Sequence, residues 1–79
     1  MNQARGLSFT PIGLRAVDAA RYVGVSETTF REWVRREIMP APRRQGDCVM
    51  WDTEELTIAF RALPRDGQPA NDDWNGIAL

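Results

Sequence analysis

Histidine and lysine are absent from this 79-residue sequence, and Cys48 is the single cysteine. One cysteine excludes an intramolecular disulfide and fits a reducing, cytoplasmic setting. With no histidine beside it, the usual zinc sets of two to four Cys and His ligands cannot be assembled within one chain. The commonest general base is missing too, and no Ser or Cys partner arrangement and no carboxylate pair in an apolar setting replaces it. No enzymatic activity, metal, cofactor or small-molecule ligand is therefore expected. No stretch approaches the roughly 20 apolar residues of a membrane span, and residues 1–9 lack the apolar run of a signal peptide, so no membrane association is expected.

What is present describes one small folded unit. A hydrophobic fraction of 43% with three tryptophans argues for a packed core rather than disorder, and 79 residues are expected to form a single domain. The net charge of −1 argues at first against a nucleic-acid partner. The distribution argues the other way. All ten basic residues are arginine, and Arg31, Arg35, Arg36, Arg43 and Arg44 cluster within a short stretch where only Glu32 and Glu37 oppose them. The planar guanidinium suits bidentate contacts to phosphate and to guanine edges, although a solvated charged face would show the same composition.

Residues 1–13 carry Leu7, Phe9 and Ile12 without a sustained period and read as an irregular arm. Val17, Ala20 and Val23 then recur at helical spacing up to Gly24, which predicts a first helix over about 17–23. Ser26 is placed to cap a second helix, on which Phe30, Trp33 and Val34 share one face and Glu27, Thr28, Arg31, Glu32 and Arg35 the other. Pro40 and Pro42 stop that helix. Arg43-Arg44, the turn formers Gln45-Gly46-Asp47 and the β-prone Cys48-Val49-Met50-Trp51 predict a hairpin. A third helix over about 53–63 starts with Asp52 as cap and Glu55 reaching back, and it places Leu56, Ala59, Phe60 and Leu63 on one side. Residues 64–79 form an acidic tail rich in Gly, Pro, Asn and Asp. Its Trp74, Ile77 and Leu79 suit contact with a partner, or Trp74 pins the chain end to its own domain.

Two helices that cross through a tight turn need a small residue on the first, a glycine in the turn and apolar anchors on the second. Ala20, Gly24, and Phe30 with Trp33 and Val34 meet those needs, as Val25 does for the apolar residue after the turn. The run Val17-Asp18-Ala19-Ala20-Arg21-Tyr22-Val23-Gly24-Val25-Ser26-Glu27-Thr28-Thr29-Phe30-Arg31-Glu32-Trp33-Val34-Arg35-Arg36, followed by Pro40-Ala41-Pro42-Arg43 and Trp51, resembles the excisionase and AlpA-type winged helix-turn-helix proteins, relatives of the MerR DNA-binding domain. The resemblance spans about residues 14–63. Where the family usually has a glycine before the proline segment, this sequence has Glu37 or Ile38, so the end of the second helix is left open between them.

The resemblance implies a mainly α fold with a small β-hairpin: three helices plus a wing, with residues 14–63 as the DNA-binding domain between the arm and the tail. It implies a mobile-element protein that binds repeated sites as adjacent copies, bends the DNA and directs a recombinase toward excision, or else activates transcription. By resemblance Arg31 contacts DNA, and Arg43 and Arg44 lie against phosphates of the flanking minor groove. The segment from Val25 to Arg36 is the expected major-groove helix, with Thr28, Arg31, Glu32 and Arg35 as its reading surface. Arg35 equally suits a surface pair with Glu32 or Asp52. Trp33 and Trp51 are assigned to the core rather than to base stacking, because so small a domain needs their buried area. The expected partners are duplex DNA, further copies of the chain and an integrase. The rival from another class is a protein-interaction module that binds no DNA, which the near-neutral charge favours.

Overall fold

The structure, a computed structural model, describes residues 10–67. In chain order its elements are β1 (Gly13–Leu14), α1 (Ala16–Val23), α2 (Glu27–Arg35), β2 (Arg43–Gln45), β3 (Cys48–Asp52) and α3 (Thr53–Arg61). Among the described residues, three helices accompany a small antiparallel sheet of order β1-β3-β2, a mixed α/β arrangement. No helix there is long and apolar enough to cross a membrane.

Local chemistry explains the helix boundaries. α1 buries Ala19 and Ala20, with Ala16 and Val23 packed beside them, an i, i+3, i+4, i+7 stripe. Val17, expected on that stripe, lies off it and is 47% exposed. The small alanines let α2 approach closely, and Gly24 ends α1 at φ 102°, its amide and that of Val25 both donating to the Ala20 carbonyl. Ser26 Oγ accepts from the Thr29 amide at 3.1 Å, so α2 proper begins at Glu27 rather than at Val25.

The end of α2 resolves the question that the missing glycine leaves open. Arg36 is its cap, and Glu37 takes φ 63°, the left-handed conformation that glycine ordinarily supplies. The Glu37 amide donates to the Val34 carbonyl at 3.0 Å and the Ile38 amide to the Trp33 carbonyl at 2.8 Å, the paired bonds of a Schellman ending. The chain then turns back so that Met39 enters the core at 1% exposure, a burial that no period in the sequence announces.

The hairpin forms as expected, with Gly46 at φ 59° in its two-residue loop. The expected irregular arm is corrected at its end. Gly13 pairs with Asp52 and Leu14 with Trp51, which adds a third strand. The Ile12 carbonyl also takes the Thr53 amide at 3.0 Å, tying this segment to the start of α3. Residues 1–9 of the arm lie outside the described residues.

The core is formed by Leu14, Ala19, Ala20, Phe30, Met39, Trp51 and Leu56. Phe30 and Trp51 meet edge to face with ring centroids 5.0 Å apart, and Trp51 Nε1 donates to the Pro40 carbonyl at 2.8 Å. One side chain therefore fixes both the hairpin and the proline segment against the helices. On α3, Asp52 accepts from the Glu55 amide at 3.0 Å, as a cap should. The Glu55 carboxylate does not return over the cap, because Arg43 Nη2 binds it at 2.7 Å. Leu56 is buried and Ala59 and Leu63 are partly so, but Phe60, expected beside them, is 51% exposed. It lies at the edge of that stripe and lines a groove with Tyr22 and Val23 of α1. The α-helix ends at Arg61, and a single turn carries the chain on to Leu63.

Candidate nucleic-acid interface

The side chains expected to hold the two crossing helices together are brought together. Ala20 and Phe30 are buried, Trp33 and Val34 are half-buried against the same core, and Gly24 forms the turn between α1 and α2. Packing thus fixes one face of α2 and leaves Thr28, Arg31 and Arg35 exposed, with Glu32 half-buried.

The pleat of the hairpin separates its two arginines. Arg44 pairs directly with Val49, and Val49 and Trp51 alternate onto the same face of β3, the face that packs toward the helices. Arg43 pairs with Met50 on the opposite face and reaches Glu55 of α3. Adjacent in sequence, the two side chains serve different surfaces.

On the helix side, a cleft of about 390 Å³ is lined by Arg15, Ala16 and Val17 at the start of α1, Glu27 and Arg31 on α2, and Arg44, Asp47, Val49 and Trp51 on the hairpin. Three guanidinium groups border it against two carboxylates. Arg15 was not a sequence candidate. It reaches the cleft because β1 pairs with β3, and its Nη2 donates to Cys48 Sγ at 3.6 Å. A lone arginine ahead of a helix gives no signal of that tertiary placement.

The exposed arginines differ in their engagement. Arg31 donates from Nε to Glu27 Oε2 at 2.9 Å, and its Nη2 lies 2.9 Å from the same oxygen. Arg35 pairs with Glu32, one of the two surface pairs open to it from the sequence; Asp52 is occupied as a cap. Arg43 is held by Glu55. The guanidinium groups of Arg44 and Arg36 make no hydrogen bond or ion pair within the described residues, and both side chains are exposed. Thr28, on the exposed face of α2, makes no side-chain hydrogen bond there either.

Surface pairs of this kind contribute about 0.2–1 kcal/mol each, too little to hold an arginine against a phosphate or a guanine edge. Arg15, Arg31 and Arg44 give this surface donors suited to anions, set beside the carboxylates of Glu27 and Asp47. No group of three or more Cys, Asp or Glu side chains suited to a metal ion is found among the described residues. Trp74, Ile77 and Leu79, read as a partner contact, lie outside the described residues.

No protein-family model, curated protein or solved structure matches the chain.

Proposed function

We propose that this chain is a winged helix-turn-helix protein that binds duplex DNA, with α2 in the major groove and the β2–β3 hairpin as a wing on the adjacent backbone. The observation that carries this reading is the shared cleft. Arg31 on the exposed face of α2 and Arg44 on the hairpin border one concave surface, and Arg15 joins them. A helix entering the major groove offers its first turns to base edges, here Thr28 and Arg31, while the guanidinium group of the wing meets phosphates. Packing supports the division of labour, since Phe30, Trp33 and Val34 are occupied by the core.

Within that reading the chain acts as an excisionase, a recombination directionality factor of a mobile element, and an AlpA-like activator of transcription is the alternative. A domain this small holds few phosphate contacts, so useful affinity calls for copies bound side by side on repeated sites, with the DNA bent between them. An integrase is the further partner.

A mobility-shift titration on duplex DNA at two salt concentrations tests the binding. Affinity should fall steeply with salt, by a log–log slope of about 0.9 for each phosphate contacted, and Arg31→Ala should weaken binding to a preferred site about tenfold. Salt-independent binding or none would favour the protein-interaction module instead, and unchanged affinity in Arg31→Ala would remove α2 from the interface. An excision assay with the integrase separates the two DNA-binding roles: excision that runs equally well without this protein rules out the directionality factor.

A further inference from the structure

We infer that Glu27 is a positioning residue for DNA recognition, one that orients Arg31 for a base edge and at the same time discourages binding to arbitrary sequence. The inference rests on the DNA-binding reading of the cleft.

The geometry is specific. Glu27 Oε2 lies 2.9 Å from both Nε and Nη2 of Arg31, one turn further along α2. Both contacts use the side edge of the guanidinium. The end edge, formed by Nη1 and the second hydrogen of Nη2, has no partner within the described residues. With two parallel donors, the end edge has the spacing to bridge O6 and N7 of one guanine. A guanidinium clamped along its side presents that edge in a fixed direction and loses less conformational freedom when it binds.

The pair also serves the helix, since Glu27 lies in the first turn of α2 and Arg31 four residues on, but that contribution is small. The side chains of Arg31 and Glu27 are 58% and 41% exposed, so the bridge is screened by solvent and adds little to the helix. Its effect on an incoming strand is larger in kind. Glu27 lines the arginine cleft together with Asp47, so a phosphate entering there meets two carboxylates among the three guanidinium groups. Phosphates are common to every sequence, whereas a guanine at the right step is not. Glu27 therefore lowers affinity for all duplexes and recovers it only where the oriented fork finds its base.

The test uses the full chain. A randomised duplex library selected with the wild type supplies a preferred sequence, and dissociation constants are then measured for that duplex and for a scrambled duplex of the same composition. Glu27→Gln should bind the scrambled duplex about threefold more tightly and lose about tenfold in the ratio between the two duplexes. Made in an Arg31→Ala background, the same change should leave the ratio where Arg31→Ala alone puts it, because Glu27 acts through Arg31. An unaltered ratio in Glu27→Gln, or equal weakening on both duplexes, overturns the inference while leaving DNA binding intact. If the wild type binds neither duplex, the proposed function falls and this inference falls with it.

Discussion

The two faces of the hairpin carry one arginine each and have opposite surroundings. On the inner face, Arg44 stands beside Val49 and Trp51, its guanidinium unengaged among the described residues and the cleft in front of it. On the outer face, Arg43 stands beside Met50 and is bound to Glu55 of α3. The difference shows that basic composition overstates an interface: neighbouring residues of one type are divided by the two-residue period of a strand. Arg15, distant in sequence, ends up on the same surface as Arg44, while Arg43 does not.

The most damaging way to break this comparison is to remove what holds the hairpin in place. Trp51→Ala deletes the edge-to-face contact with Phe30 and the hydrogen bond to the Pro40 carbonyl. It should cost about 3–5 kcal/mol, most of the stability of so small a domain, measured by urea or thermal denaturation. A cost below about 1 kcal/mol would mean that the hairpin is anchored elsewhere.

Substituting the arginines one at a time tests the faces themselves. Arg44→Ala should weaken duplex binding about tenfold and reduce the salt slope by about 0.9, whereas Arg43→Ala should leave the slope unchanged. Equal effects from both would show that the bound hairpin does not keep Arg43 and Arg44 on opposite faces.

Backbone substitutions sharpen the comparison without touching either face. A Cβ on Gly46 would meet nothing within 4 Å, so Gly46→Ala should cost only the conformational penalty of its φ of 59°, about 1 kcal/mol. Glu37→Gly works in the other direction. It relieves a non-glycine residue at φ 63° where α2 ends, and should add about 0.5–1 kcal/mol in the same denaturation measurement. The smallest effect belongs to the outer face, where a double-mutant cycle on Arg43 and Glu55 should give a coupling below about 1 kcal/mol.

Much of the fold was legible because it is encoded locally. Ser26 and Asp52 cap the helices they precede, Gly24 ends α1, and Gly46 sits in the hairpin loop, each through a short-range property of the residue type. Three features were not legible. β1 is two residues long, too short for any period to register, and it exists only because β3 offers Trp51 and Asp52 as partners. Met39 lies in a segment without periodicity and is buried because the turn at Glu37 redirects the chain. Phe60 shares the helical spacing of its neighbours, yet α1 and the sheet cover only part of the α3 stripe.

For the candidate site the same division holds. Residue types and spacing alone determined the exposed face of α2, because the positions of Phe30, Trp33 and Val34 commit the opposite face to the core. They also determined that a hairpin bearing two arginines follows. Which arginines share a surface was decided only in three dimensions. The β1–β3 pairing brings in Arg15, the pleat turns Arg44 inward and Arg43 outward, and Glu27, Glu32 and Glu55 engage three of the guanidinium groups. The physical reason is range: a cap or a turn is settled within four residues, whereas a strand's side chains acquire a direction only when a partner strand and a core exist to define it.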